Sequence, residues 1–430
     1  MKTKLIIFGI TGDLSTRKLL PALEQIMSTG DFDDLSVIGV SRHEVNQSEL
    51  FINCVKCSNK TFLDGKLSMF TMDMTDPDDY VNLKSFIGPA DDGQVLIYMA
   101  VPPAATSQIV NLLGEAGINM PNIKMLFEKP FGIDLPSAEK LIERTARHFK
   151  EEQIYRIDHY LAKEMSQNIV AFRGSNALFS DIWNNNFIES IEIVASEKIG
   201  IEGRSHFYEQ TGALRDLVQG HLMQLLALTL MDIPQDLEWD KMPVLRKKAL
   251  EQMQPVDPNR VIRGQYDGYK GEVDNPDSEV ETFVSLSIAS GEPRWSGVPI
   301  TLTTGKSLAE TKTEIRIRLK KNDGSQSNCL IFRIQPNEGI DIELFVKKPG
   351  YSREFETQHL SFSYPPDTKL PDAYEQVIVD ALSSQKSLFS SSEEVLRSWQ
   401  ILQPILDDWN NNQDSPKLYP AGSDVATILA

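Results

Sequence analysis

At 430 residues the chain exceeds what one hydrophobic core usually supports, so two domains are expected, and 41% hydrophobic with 24% charged residues is a globular balance. No run approaches the roughly 18 uncharged apolar residues of a membrane span. A formal net charge of −18, from 61 acids and 43 bases, speaks against nucleic acid as a partner, so any phosphate ligand must meet locally concentrated lysines and arginines. The opening MKTKLIIFGITGDL has the lysines and apolar run of a secretory leader. That run ends within about six residues, before Asp13 and Arg17, so a buried strand is expected instead.

Residues 1–155 alternate short apolar runs with amphipathic stretches. KLIIFG, LSVIGV, KLSMFTMDM, QVLIYMAV and IKMLFEK are predicted strands; 19–27, 107–116 and 137–148 are predicted helices. This alternation predicts a parallel sheet with helices on its faces. Cys54 and Cys57 form a lone CxxC. With three cysteines in all and no nearby histidine pair, neither a disulfide framework nor a metal site is expected, and a reducing cytoplasm fits. Residues 156–430 read as a larger α+β domain. A helix over 161–172 precedes the strand IESIEIVASE, and a second helix covers 213–231. The period-2 runs ETFVSLSIAS, ITLTTGK, EIRIRLK, NCLIFRIQP, IDIELFVKK and EFETQHLSFSY predict a large antiparallel sheet. A helix returns over 373–382, and 410–422 reads as an irregular tail.

KLIIFGITGDLSTRKLLPAL reads as strand, Gly-rich turn, helix. Gly9 and Gly12 stand where a backbone turns tightly against a pyrophosphate, with Thr11, Asp13 and Leu14 in the turn and the first helical N–H groups as the anion site. The third glycine of the usual fingerprint is missing, with Ser15 or Thr16 near its place. A GxxG turn alone is a weak signal; on the first strand of an alternating domain it points to a Rossmann dinucleotide site. The second strand ends in Ser41 and Arg42, where NAD sites usually carry an acid for the ribose 2′-hydroxyl. Arg42 would pair with a 2′-phosphate, so NADP is expected, with NAD a weaker alternative. Otherwise Arg42 is a solvated loop residue.

The segment RIDHYLAKE, residues 156–164, resembles the RIDHYLGKE motif of the glucose-6-phosphate dehydrogenase family, with Ala162 for glycine. On a helix, His159 and Lys163 would share one face at i,i+4 spacing, with Tyr160 beside them, a group suited to a terminal phosphate. GALRDLVQGHLMQLLAL resembles the family's RDxxQNH helix. The resemblance implies that His221 is the general base at sugar C1 and that Asp158 accepts its second ring N–H. YMAVPP, with Pro102, and FEKPFG, with Lys129, look like the family's paired segments at two strand ends, Lys129 reaching both cofactor and sugar. WSGVPITLTTGKSL, EKIGIEGR and QPNE also match, and by that analogy Glu197, Asp216, Lys306 and Gln335 contact sugar hydroxyls. The sequence departs at Gly220, where asparagine is usual, and at Thr303, where arginine is usual.

The resemblance implies oxidation of β-D-glucose 6-phosphate to 6-phospho-D-glucono-1,5-lactone with NADP, the first oxidative step of the pentose phosphate pathway, in a cytoplasmic homodimer or dimer of dimers. It implies no nucleic acid, no membrane and no metal. Two other readings remain. One is a dehydrogenase of an amino or acylated hexose 6-phosphate, with Gly220 and Thr303 as adaptations; the other is a catalytically inactive binding homologue, which would be expected to have lost Asp158 or His221. The Gfo/Idh sugar oxidoreductases share EKP after a Rossmann strand but lack RIDHYLxKE.

Overall fold

A computed structural model describes residues 2–54, 56–57, 62–88, 93–321, 327–365, 367–412 and 414–430. The first strand, β1 (Thr3–Phe8), is apolar at every position from Leu5 to Phe8, because both of its faces are covered. Leu5 and Ile7 pack into one core with the helix Leu20–Ser28, while Ile6 and Phe8 pack into the other. Such continuous apolar runs are the mark of parallel strands buried on both sides. β2 (Leu35–Ser41), β3 (Leu67–Thr71), β4 (Gln94–Met99), β5 (Ile123–Phe127) and β6 (Ile154–Ile157) complete the parallel set.

The second sheet is built from β7 (Ile188–Ser196), β8 (Val261–Tyr266), β9 (Phe283–Ile288), β10 (Ile300–Gly305), β11 (Lys312–Leu319), β12 (Cys329–Gln335), β13 (Gly339–Lys347) and β14 (Phe355–Ser363). After it, β15 (Phe389–Ser390) returns to the first sheet, and β16 (Lys417–Tyr419) closes the second. The orders are β15-β6-β5-β4-β1-β2-β3 and β14-β13-β12-β11-β7-β10-β9-β8-β16. In the first, strand order reverses between β1 and β4, which opens a crevice beyond their carboxyl ends. The second is mostly antiparallel, but β10 runs parallel to β7 and β16 parallel to β8, so it is mixed rather than purely antiparallel.

Several elements lay outside the periodic signals. The helix Ser392–Asn411, twenty residues with Pro404 inside, packs against helix Leu135–Ala146 and against the π-helical segment Leu214–Leu222. The expected tail is partly ordered: β16 pairs with β8, and a short helix Val425–Leu429 follows. Cys54 and Cys57 are joined as a disulfide, their Cα atoms 5.5 Å apart and both side chains in the core beside Leu50. Among the described residues no helix is long and apolar enough to cross a membrane.

Candidate active site

Gly9 follows β1 with φ +82, and a Cβ there would overlap the carbonyl oxygen of Ala100. A Cβ on Gly12 would come within 3.1 Å of the Gly9 carbonyl oxygen. The bare turn is therefore demanded by packing, and it is closed by the Gly9 and Ile10 N–H groups donating to the Val40 carbonyl and the Gly12 N–H donating to that of Gly9. Ser15 stands in for the missing third glycine by hydrogen-bonding instead: its hydroxyl donates to the Gly9 carbonyl at 2.9 Å, and Thr16 does the same to Gly12 at 3.1 Å.

Gly9, Thr11, Gly12, Ser41, Arg42 and Pro102 line one cleft of about 640 Å³, joined by His43, Asp73 and Thr75. Glycines that a Cβ would fill, Arg42 at the rim and a loop after each of the strands β1 to β4 fit a phosphorylated dinucleotide. Asp13 and Leu14 do not line this cleft. Asp13 pairs with Arg17 at 2.6 Å on the surface, and Leu14 packs against the core. Arg42 is exposed at the rim. The Asp73 carboxyl opposite is held below its usual range by the hydroxyl and N–H of Thr75 and, more weakly, by Arg42. The strand-end signal pointed to Arg42 and missed Asp73, which comes from the loop after β3.

Residues 158–163 form a turn, not the expected helix; the helix starts at Glu164. Asp158 is the cause: its carboxylate accepts the Tyr160 N–H at 3.0 Å, while the Leu161 N–H bonds the Asp158 carbonyl at 3.0 Å. That local bonding competes with helix and keeps His159, Tyr160 and Lys163 clustered by a turn.

The facing wall is also not a regular α-helix. Gly212 breaks one helix at φ +62, and the Glu281 carboxylate accepts the Leu214 N–H at 2.9 Å. From Leu214 to Leu222 the chain is π-helical, an arrangement often found at functional sites, and it continues as the α-helix Met223–Leu230. His221 Nδ1 lies 2.6 Å from Asp158 Oδ1, with both side chains buried. Burial keeps the imidazole pKa below its ordinary value despite the carboxylate beside it. Burial also opposes charge on Asp158, but the His221 ring and hydrogen bond and the Lys129 ammonium outweigh it, leaving the carboxyl well below its usual range. A carboxylate accepts, so Nδ1 donates and the Nε2 lone pair is left free to take a proton.

Around this pair the Tyr160 ring stacks on His221 at 4.2 Å and the His159 ring meets it edge-on at 4.4 Å. Lys163 Nζ lies 5.4 Å from the Tyr160 ring, and Lys129 Nζ donates to the Asp216 carbonyl at 2.9 Å. Lys306 is ion-paired with Glu197, and Gln335 reaches the Tyr160 hydroxyl at 3.4 Å. Register places these last three together: Gly305 lies beside Ser196, and Gln335 and Ala195 flank Thr313, so Glu197, Lys306 and Gln335 share one end of the sheet. Thr303 is elsewhere. Its hydroxyl meets Ser285 Oγ at 2.8 Å, and it lines a separate cleft with Glu192 and Glu314.

Two further groups belong to the cluster. Lys18, one turn past the glycines, pairs with Asp372 at 3.1 Å, and its charge is felt at Lys163, whose pKa is lowered chiefly by burial. Its only sequence signal is a lysine just after a Gly-rich turn. Glu128 accepts a hydrogen bond from the Tyr98 hydroxyl, and withdrawal from water pushes its pKa up to about 7.

A dinucleotide cleft at a strand-order switch point, together with a buried carboxylate–imidazole pair that has lysines and a glutamine around it, defines a nicotinamide-dependent sugar oxidoreductase. The family description "Glucose-6-phosphate dehydrogenase, NAD binding domain" matches residues 6–168, and "Glucose-6-phosphate dehydrogenase, C-terminal domain" matches 170–427. The chain is 34% identical to a glucose-6-phosphate 1-dehydrogenase of Chlamydia muridarum, over 97% of this chain and 92% of that one. It is also 34% identical to that of Bacillus subtilis, over 98% and 94%. A solved glucose-6-phosphate dehydrogenase in complex with its substrate glucose-6-phosphate superposes with a TM-score of 0.93 at 31% identity, covering 100% of this chain and 97% of that one. This chain belongs to the glucose-6-phosphate dehydrogenase family.

Proposed function

We infer that this chain is an NADP-dependent glucose-6-phosphate dehydrogenase, oxidising β-D-glucose 6-phosphate at C1 to 6-phospho-D-glucono-1,5-lactone. The observation that carries this reading is the buried Asp158–His221 pair at 2.6 Å with Tyr160, His159 and Lys163 beside it. Thr303, remote from this cluster, gives no reason to expect an altered sugar. Residues 1–155 hold the nucleotide, through Gly9, Thr11, Gly12, Ser41, Arg42 and Pro102, with Asp13 and Leu14 contributing backbone only. Residues 156–430 present the sugar site.

His221 Nε2 removes the proton of the C1 hydroxyl; bound NADP supplies the chemistry of hydride acceptance from the same carbon. Asp158 holds the ring tautomer and balances the imidazolium that forms. His159, Tyr160 and Lys163 bind the 6-phosphate, while Lys129, Glu197, Asp216, Lys306 and Gln335 fix the hydroxyls. Phosphorylated substrate and cofactor, which do not cross membranes freely, support a cytoplasmic setting. The outer strand β14, with Phe355, Leu360 and Phe362 exposed, supports assembly as a homodimer or dimer of dimers. Initial rates of lactone formation from glucose 6-phosphate, glucosamine 6-phosphate and N-acetylglucosamine 6-phosphate, each with NADP and NAD, test the assignment. Faster turnover of an amino sugar would replace it.

Arg42→Ala is expected to lower kcat/KM for NADP about ten- to a hundredfold and to leave NAD nearly unchanged, since a charge-assisted bond to the 2′-phosphate is worth roughly 1.5–3 kcal/mol. The preference should also shrink with added salt, because Arg42 is exposed. A wild type that favours NAD, with Arg42→Ala neutral toward NADP, would leave Arg42 as a solvated rim residue. Lys163→Ala and His159→Ala should raise KM for glucose 6-phosphate and barely change turnover of free glucose. Equal losses on the two sugars would remove both residues from the phosphate site.

A further inference from the structure

Asp73 is the one acid on the wall of the nucleotide cleft among the described residues, in a cleft otherwise suited to an anionic ligand. An ionised carboxylate only accepts hydrogen bonds, and a dinucleotide offers it few donors: sugar hydroxyls, the carboxamide and the 6-amino group of adenine. Position separates them. With the pyrophosphate at the Gly9–Gly12 turn after β1 and the adenosine ribose at Ser41 and Arg42 after β2, the base extends toward the next strand outward. That strand is β3, and Asp73 follows it, beyond the ribose. Met74, Val101, Pro102 and Ala105 line the same cleft and give a flat ring apolar surface.

Asp73 is exposed, yet its carboxylate is held in one orientation. Oδ1 accepts the Thr75 N–H at 2.8 Å and the Thr75 hydroxyl at 2.7 Å, and the Asp73 N–H donates to Asp79 Oδ2 at 2.8 Å. On either side, the Met72 N–H bonds the Ser41 carbonyl at 3.0 Å and the Tyr80 hydroxyl donates to the Met74 carbonyl at 2.8 Å. Asp73 Oδ2 has no hydrogen-bond donor among the described residues and remains available to a ligand. We propose that Asp73 reads the base of the cofactor: Oδ2 accepts a hydrogen from the 6-amino group of adenine. This rests on the reading of the cleft as the NADP site. It differs from the role of Arg42, because NADP and NAD share adenine and only NADP carries the 2′-phosphate.

The test compares wild type, Asp73→Ala and Asp73→Asn with NADP, NAD and nicotinamide hypoxanthine dinucleotide phosphate, whose base has a 6-oxo acceptor in place of the 6-amino donor. Wild type should favour NADP over the hypoxanthine cofactor by about tenfold in kcat/KM, since the wrong base sets an oxygen against a carboxylate. Asp73→Ala should lose about tenfold with NADP and with NAD alike, and nothing with the hypoxanthine cofactor. In Asp73→Asn the amide oxygen can keep the Thr75 bonds while Nδ2 donates. Its kcat/KM for the hypoxanthine cofactor should therefore rise above wild type while that for NADP falls, a gain that a damaged fold does not produce. Equal losses in Asp73→Ala with NADP and the hypoxanthine cofactor, with NAD spared, would tie Asp73 to the 2′-phosphate and overturn the proposal. So would an Asp73→Asn protein that discriminates between the two bases as wild type does. Wild type that turns over glucose 6-phosphate with none of the three cofactors would instead overturn the assignment of the cleft, and the inference with it.

Discussion

His221→Ala is expected to lower kcat by about 10²–10⁴-fold while KM for glucose 6-phosphate stays within a small factor of wild type, because a general base acts in the transition state. The phosphate and hydroxyl contacts come from other side chains, so ground-state binding survives. The pH dependence gives an independent reading. Activity needs neutral His221, and burial sets its pKa below 6.5, so the acid limb of kcat/KM should fall below that pH. Asp158 raises the His221 pKa and bonds its ring, so Asp158→Asn should lower kcat and move the acid limb further down. If His221→Ala kept more than about a tenth of kcat, the base would have to be sought elsewhere, since that residue would be contributing less than such catalysis typically does.

Glu394→Ala should be the most damaging single change for stability. Glu394 and Arg246 are both fully buried and pair at 2.8 Å, and Arg246 also donates to the carbonyls of Ser387 and Phe389, at 2.6 and 2.7 Å. The second Glu394 oxygen accepts the Ser391 N–H at 2.8 Å, closing a capping box at the start of the helix Ser392–Asn411. Removing the acid leaves a guanidinium buried without its partner, at a cost of about 3–5 kcal/mol, and opens the helix start, for about 1 kcal/mol more. Urea unfolding should show a clearly lower midpoint. The double variant Arg246→Met/Glu394→Leu should be the more stable of the two, because apolar replacement of both partners removes the uncompensated charge. A single variant as stable as wild type would show that water or a neighbour takes over the pairing.

This bolt also matters for the site. The helix it starts holds the loop after Lys129, through Trp399 Nε1 to the Phe131 carbonyl at 3.2 Å and Gln403 Oε1 to the Leu135 N–H at 2.9 Å. Glu394→Ala protein that still folds at low temperature should therefore show reduced activity with intact catalytic residues.

What the sequence determined by itself is local chemistry. The continuous apolar run of β1 and the glycines after it carry enough short-range information to specify a Gly-turn nucleotide domain, and RIDHYLAKE carries enough to mark the family. These patterns act within a few residues, where sterics and neighbouring hydrogen bonds decide conformation. Tertiary structure decided the rest. Asp158 and His221 are 63 residues apart, and their pairing exists only because a turn after β6 meets a π-helical wall that Glu281 starts and Gly212 bends. The helix expected over residues 161–172 begins at Glu164 because the Asp158 side chain captures the backbone ahead of it, a competition that periodicity does not register. Thr303 stood out in the sequence as a departure that a different sugar could explain, yet its hydroxyl meets Ser285 and it lines a cleft separate from the Asp158–His221 pair. Gly220 stood out in the same way, and only the structure shows the end of Lys129, 91 positions earlier, beside it. Long-range partners of this kind follow from how sheets and helices stack to bury apolar area, and no local pattern encodes which distant side chain arrives.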